Sequence, residues 1–205
     1  MMAYDTIASD EQIEKTKQAL EANGFTVIVA ENGEAAKKAV LDLIPKGAEV
    51  LTNTSKTLEA LELDKAINES GEYDSVRNKL NAMWGDPEKK RDQRKLGAAP
   101  DYTIGSVHAI TETGEVFIAS NTGSQLPGYA YGAGKVIWVV GAQKLVATHA
   151  DAHRRLEEYV LPLESERARA AYGVPGSNIS KLLIVSKEVE EGRITIIIVK
   201  EKLGF

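Results

Sequence analysis

The chain is 205 residues long, with 30 acidic and 25 basic side chains, a net charge of −5 and no cysteine. The missing cysteines exclude disulfides, zinc–thiolate sites, iron–sulfur clusters held by this chain and cysteine nucleophiles. No apolar run approaches the roughly 18 residues of a membrane helix, Asp5, Asp10 and Glu11 stand where a secretion signal carries positive charge, and mild acidity weighs against non-specific nucleic-acid binding, so the expectation is a soluble, cytoplasmic protein folded as one domain over residues 1–205.

Ser9 before Asp10, Glu11 and Gln12 is a helix start, a capping hydroxyl followed by acids in the first turn. Ile13, Lys17, Leu20 and Glu21 continue at helical spacing and Asn23-Gly24 supplies the stop, which predicts a helical segment over 9–23. Residues 25–30 (FTVIVA) form a short apolar, β-branched run that reads as a buried parallel strand. After Asn32-Gly33, apolar residues at 36, 39, 40, 43 and 44 mark one face of a helix that Pro45 and Gly47 end. Residues 49–52 (EVLT) give the next strand, completing a βαβ unit whose crossover should be right-handed.

Asn53-Thr54-Ser55-Lys56-Thr57 then carries the chain from strand to helix on hydroxyl and amide side chains. In an open parallel sheet, loops after strand C-termini are where ligands sit. Helical spacing resumes at 63–67, Ser70-Gly71 breaks it, and 73–84 is predicted as a further helix. Residues 86–95 (DPEKKRDQRK) hold five basic and three acidic residues. That run reads as a basic patch for phosphate or nucleic acid, or as a solvated helix face or mobile connector, and the interleaved signs favour the latter pair.

In the second half, 107–110 and 115–119 are apolar runs joined by Thr111-Glu112-Thr113-Gly114, a hairpin pattern. Residues 135–141 (KVIWVVG) are apolar on both faces and predict a central strand. Residues 151–161 are helical, Pro162 starts another helical stretch to 172, and the runs at 182–185 and 194–199 (ITIIIV) are expected to complete the sheet.

Neither G-x-G-x-x-G after a strand nor a Walker loop is present. The glycine-rich stretch 128–134 would bring backbone close to a ligand or make a loop with aromatic contacts. His149 and His153 share a helix face with Glu157 one turn on, a spacing that can bind zinc. The segment lacks the glutamate of the hydrolytic motif, so an exposed histidine pair is the favoured reading and no metal site is expected. Glu112 sits at a hairpin where partial burial would raise its pKa and suit it to acid–base or nucleophilic work. Like Glu115, it also reads as a plain turn carboxylate. Asn121, Gly123 and Ser124 could join Thr54, Ser55 and Thr57 in one polar pocket for phosphate or carboxylate oxygens, or both segments could be simple turns and caps.

Four segments in order carry a resemblance: Asn53-Thr54-Ser55-Lys56-Thr57-Leu58-Glu59; residues 101–105 leading to Ala109-Ile110-Thr111-Glu112-Thr113-Gly114; Ser120-Asn121-Thr122-Gly123; and residues 139–146 (VVGAQKLV). Together they resemble the LUD-domain family, named for lactate utilization, and residues 159–175 resemble one of its short single-domain members. The resemblance implies an α/β fold like that of CoA transferases, ribose-5-phosphate isomerase and formyltetrahydrofolate cyclo-ligase, a Rossmann-like parallel sheet with an added antiparallel hairpin. It implies a role in oxidising L-lactate to pyruvate within a multi-protein system. Because this chain has no cysteine, electron transfer would belong to an iron–sulfur or oxidoreductase partner, and no cofactor is expected on the chain itself.

The implied site takes Glu112 as catalytic carboxylate. Asn53, Thr54, Ser55, Thr57, Thr113, Gly114, Ser120, Asn121 and Gly123 are its ligand-binding residues, for a small anionic ligand. One position departs from the family pattern: where an acid is expected after Ser55 and Thr57 stands Ala60, and Glu59, one residue early, points about 100° away around a helix. The resemblance leaves two roles open: an accessory subunit of a lactate-oxidising system, or a stand-alone enzyme binding a CoA, sugar-phosphate or nucleotide ligand. Oligomeric relatives make a homodimer the expectation.

Overall fold

A computed structural model describes residues 4–205. The first three residues, part of the stretch read above for a secretion signal, lie outside the described residues. Helix α1 (Asp10–Ala22) begins where the Ser9 hydroxyl accepts the Gln12 N–H, and its buried stripe of Ile13, Thr16 and Leu20 turns one face inward. Strand β1 (Thr26–Ala30), α2 (Gly33–Asp42) and β2 (Glu49–Thr52) follow as the apolar patterning predicts. Next come α3 (Lys56–Ala60), α4 (Leu63–Asn68), the two-residue β3 (Asp74–Ser75), α5 (Val76–Ala82) and α6 (Lys90–Ala98).

The second half holds β4 (Tyr102–Gly105), the β5 (Ala109–Thr111) and β6 (Val116–Ser120) hairpin, β7 (Lys135–Gly141), β8 (Leu145–Val146), α7 (His149–Arg155), α8 (Leu161–Tyr172), β9 (Lys181–Val185) and β10 (Ile194–Val199). A wide helical turn at Leu156–Val160 joins α7 to α8, and another at Gly128–Gly132 precedes β7.

Six strands form a parallel sheet in the order β1-β10-β7-β4-β2-β3, and four form a separate mixed sheet in the order β8-β5-β6-β9. This is a Rossmann-like α/β architecture with a second sheet built around the hairpin. The strands of the hairpin pair antiparallel, Ala109 opposite Phe117 and Ile110 opposite Val116. Strands β7 and β10 are apolar without alternation because each of their faces meets a different core. Val136, Trp138, Val140, Ile194, Ile196 and Ile198 face the second sheet and α1. Ile137, Val139, Ile197 and Val199 face the layer of α2, α3 and α4. The outer face of the second sheet packs Phe117 and Val146 against Ala152 of α7 and Leu156 beyond it.

Three expectations are corrected and one strand was not foreseen. The run at 25–30, read as a buried strand, forms the edge of the sheet: β1 pairs with β10 on one side and is mostly half-buried, while β2 lies beyond β10, β7 and β4. The run at 182–185 joins the second sheet, pairing with β6, because an apolar run carries no label for the sheet it enters. The helix read over 73–84 spans Val76–Ala82, with Ser75 capping it through the Asn78 N–H. Strand β4 was not marked by the apolar pattern: Tyr102, Thr103 and Gly105 leave Ile104 as its one aliphatic residue, yet it pairs with β2 and β7 in the sheet interior.

Candidate functional site

The C-terminal ends of β2, β4 and β7 open onto a cleft of about 1080 Å³, closed on its other sides by the turn after β6, one face of α8 and the segment 174–179. This is where an open parallel sheet presents loops to a ligand. Of the residues read from the sequence as ligand-binding, Asn53, Thr54, Ser55, Thr57, Ser120 and Asn121 line it.

Most of these are also committed to holding the walls. Asn53 Nδ2 donates to Thr103 Oγ1 (2.9 Å), Ile104 O (3.3 Å) and the Tyr129 hydroxyl (3.1 Å). Gly105 makes that last bond reachable, since a Cβ there would lie 1.7 Å from the tyrosine oxygen. The glycine-rich stretch 128–134 thus contributes Tyr129, a buried cleft wall whose phenol burial holds above its ordinary pKa. Ser55 Oγ caps α3, accepting from the Thr57 and Leu58 N–H groups. Ser120 Oγ accepts the Gly123 N–H (2.9 Å) and donates to Gln125 Oε1 (3.1 Å), and Asn121 Oδ1 accepts from Ser180 (3.0 Å). Gly123 itself stands within this turn, between the lining residues Thr122 and Ser124.

Glu112, Thr113 and Gly114 are not brought to the cleft. Their hairpin turn docks on α1: Glu112 Oε2 pairs with Lys15 Nζ at 2.6 Å, and Asn23 Nδ2 donates to Thr113 O at 3.0 Å. Gly114 has φ +82°, and a Cβ there would meet Asn23 Nδ2 at 2.7 Å and the Ala19 carbonyl carbon at 2.9 Å. The glycine is required by left-handed backbone and by close approach to the helix.

Among the groups in the cleft that lay outside the sequence reading of the site are Arg77, His108, Lys144 and Trp84. Lys144, in the turn after β7, is 1% exposed. Its Nζ lies 3.0 Å from Thr57 Oγ1, 3.0 Å from Ser106 Oγ and 3.2 Å from Val107 O. Burial, reinforced by the Arg155 charge, holds its pKa well below the ordinary lysine range. His108 Nδ1 accepts the Ala119 N–H at 3.1 Å, which puts the proton of the neutral ring on Nε2. Burial and then the Lys144 and Arg155 charges push that imidazole down to about 3.

Arg155 lies behind the floor, fully buried. Its Nη1 donates to His108 O (2.5 Å), its guanidinium sits over the Tyr159 ring at 5.2 Å, and its Nε and Nη2 have no partner among the described residues. Arg77 donates from Nε (3.0 Å) and Nη2 (2.7 Å) to Thr52 O at the end of β2.

The charge balance follows. Lys56 pairs with Glu59, and Arg167 makes a two-pronged pair with Glu164, both bonds 2.7 Å. Arg77 and Lys144 rest on neutral oxygens, and among the described residues neither has a carboxylate partner. A cleft that holds a guanidinium with no carboxylate partner suits an anion. At its mouth, Trp84 (85% exposed), Tyr172 and Val174 offer apolar surface.

Two other sequence candidates resolve into packing. The rings of His149 and His153 lie 5.0 Å apart, each edge-on to Phe117, and His149 Nδ1 is 3.5 Å from Glu115 Oε2. Among the described residues no group of three or more histidine or acidic side chains is placed to hold a metal ion. The charged run at 86–95 forms the start of α6 and the turn before it, with Lys89 near Asp86. No helix among the described residues is long and apolar enough to cross a membrane.

Comparison with known proteins bears on this arrangement in three ways. No curated protein matches the sequence significantly. Among solved structures, the crystal structure of a DUF162 family protein from Deinococcus radiodurans superposes with a TM-score of 0.58 at 11% identity, covering 95% of this chain and 99% of that one, which establishes a shared fold. The crystal structure of eIF2B beta from Chaetomium thermophilum gives a TM-score of only 0.29 at 12% identity, over 68% of this chain and 44% of that one, and carries no weight. The model of the LUD domain matches residues 13–199, nearly the whole chain and every element that builds the cleft except its outermost edge, so the chain belongs to the LUD-domain family.

Proposed function

We propose that the protein binds a small organic anion in this cleft, as the substrate-holding component of a system that oxidises L-lactate to pyruvate. The observation that carries the reading is Arg77, a guanidinium that lines the cleft and rests on the Thr52 carbonyl without a carboxylate partner among the described residues. The family name supplies the link to lactate, and the absence of cysteine assigns any iron–sulfur chemistry to a partner subunit. The Ser55 hydroxyl and the Asn121 amide, which only accept in their bonds to the walls, would donate to and orient the bound acid.

One observation favours a second reading. The cleft volume sits at the top of the roughly 300–1000 Å³ range of ligand pockets, and a three-carbon acid fills only a corner of it. With Trp84 and Tyr172 at the mouth, it would admit a CoA, nucleotide or sugar-phosphate ligand and so a stand-alone enzyme.

Thermal unfolding of the purified chain against L-lactate, pyruvate, acetyl-CoA, ATP and sugar phosphates separates the two. A ligand at about 100 times its Kd adds roughly 2.7 kcal/mol, a shift of several degrees for a chain of this size. Stabilisation by lactate or pyruvate supports the first reading and stabilisation by CoA or a nucleotide alone supports the second. Silence throughout would remove both as properties of the isolated chain.

A further inference from the structure

We infer that Lys144 is a nucleophile and that its amine takes the carbonyl carbon of a short 2-oxo acid as an imine. This deepens the acid-binding reading above and rests on it for the identity of the substrate.

The arrangement of hydrogen bonds around Nζ supports it. Thr57 Oγ1 gives its own proton to Leu203 O (3.1 Å), so toward Lys144 it accepts, and Val107 O can only accept. Ser106 is the partner whose hydroxyl can turn either way, since it accepts from Nζ at 3.0 Å and gives its own proton only to a long bond with Val107 O at 3.5 Å. The three oxygens accept from Nζ as the bonds stand, and an unprotonated amine, with two N–H donors and one lone pair, is satisfied as well once the Ser106 hydroxyl turns toward it: it then donates to Thr57 and Val107 and accepts from Ser106. The lone pair is then held by a rotatable hydroxyl that itself lines the cleft, and turning that hydroxyl away exposes the pair to a bound carbonyl.

Among the described residues no carboxylate stands beside Nζ to favour the ammonium, and the Arg155 guanidinium disfavours it further. Desolvation of this kind, next to a second cation, is one of the recognised ways to activate an amine. Arg77 in the same cleft provides the charge for the acid's carboxylate.

The step balances without any other reactant. The lone pair of Nζ adds to the carbonyl carbon, the π pair moves to oxygen, and one N–H proton passes to that oxygen to give a carbinolamine. Loss of its hydroxyl together with the remaining N–H proton releases one water and leaves a carbon–nitrogen double bond.

The test is reductive trapping. The full chain is incubated with pyruvate and sodium cyanoborohydride near neutral pH, and its peptides are mapped by mass spectrometry. An ordinary lysine, with a pKa of about 10.4, has only about one amine in a thousand unprotonated there. Lys144 is expected to carry the reduced pyruvate adduct at least roughly tenfold above exposed lysines such as Lys38 and Lys46, and K144R to lose that labelled peptide. Wild-type mapping alone decides the matter if the variant does not fold: label spread over exposed lysines, or none at Lys144, overturns the inference. Thermal stabilisation by pyruvate without label at Lys144 overturns the imine while leaving acid binding intact. Label at Lys144 from glycolaldehyde but not from pyruvate keeps the nucleophile and overturns the acid as its substrate.

Discussion

Two turns of this chain are built from the same residue types and end in opposite roles. Asn53–Thr57 and Thr111–Gly114 are both short, rich in hydroxyls and attached to apolar strands. The first leaves the end of a parallel strand and has open space beyond it, so Ser55 and Thr57 line a cleft while capping α3 and bonding Lys144. The second closes an antiparallel hairpin, and α1 fills the space beyond it, so its hydroxyls bond one another and its carboxylate meets Lys15. What separates a binding loop from a structural turn here is the neighbour, and the neighbour comes from elsewhere in the chain.

That contrast can be broken in several ways. The largest expected effect belongs to G114A: a Cβ in left-handed backbone against the α1 carbonyl carbon should cost about 3 kcal/mol. Urea unfolding would measure the loss, and the Kd of any cleft ligand should stay put; a large rise in Kd would tie the hairpin to the site after all. R77Q should weaken an anionic ligand by tenfold or more, about 1.5–3 kcal/mol for a charged hydrogen bond, whereas E112Q should leave the same thermal shift unchanged. The reverse pattern, E112Q silencing the shift and R77Q sparing it, would move the site to the hairpin.

A smaller effect sharpens the cleft side. The folded protein keeps His108 neutral down to about pH 3, while the unfolded chain protonates near its ordinary 6.5. Between those values the unfolded state binds more protons, so stability should rise with pH, by at most about 1.4 kcal/mol per unit. H108N should flatten that slope in urea titrations at fixed pH values; an unchanged slope would mean His108 titrates as an exposed ring. The smallest effect is K15A, which removes an exposed partner of Glu112 and should cost less than about 1 kcal/mol.

Periodicity and punctuation made much of the fold legible. The uninterrupted apolar run of β7 announced a strand covered on both faces, that of β10 announced a strand of the sheet, and Gly114 announced the hairpin. Strand β4 escaped because its neighbours β2 and β7, not its own Tyr102-Thr103-Ile104-Gly105, hold it in place. For β9 the residues were found and the sheet was not, since pairing partners are a tertiary property.

At the site, the loops after β2 and β6 were readable because strand ends in a parallel sheet have a known use. Lys144 lay within a run that pointed to the family, yet nothing local distinguishes a buried lysine from a surface one. The one available signal was a lone cation between the apolar strand 135–141 and Leu145-Val146. Arg77 and Trp84 sit on and beside α5 as any exposed helix residues would, and only the fold turns them toward the cleft.

The position of β10 has a consequence for synthesis. It lies between β1 and β7, and so is hydrogen-bonded to the first strand of the sheet and to another made more than fifty residues before it. Until residues 194–199 leave the ribosome, the facing edges of β1 and β7 have no partner and the apolar surface of both cores is incomplete. The floor of the cleft waits as well, because Thr57, which supports Lys144, is itself held by the carbonyl of Leu203, a contact spanning 146 residues. A nascent chain stopped before β10 would therefore present sticky strand edges and no site, a strong client for chaperones and a poor candidate for C-terminal truncation.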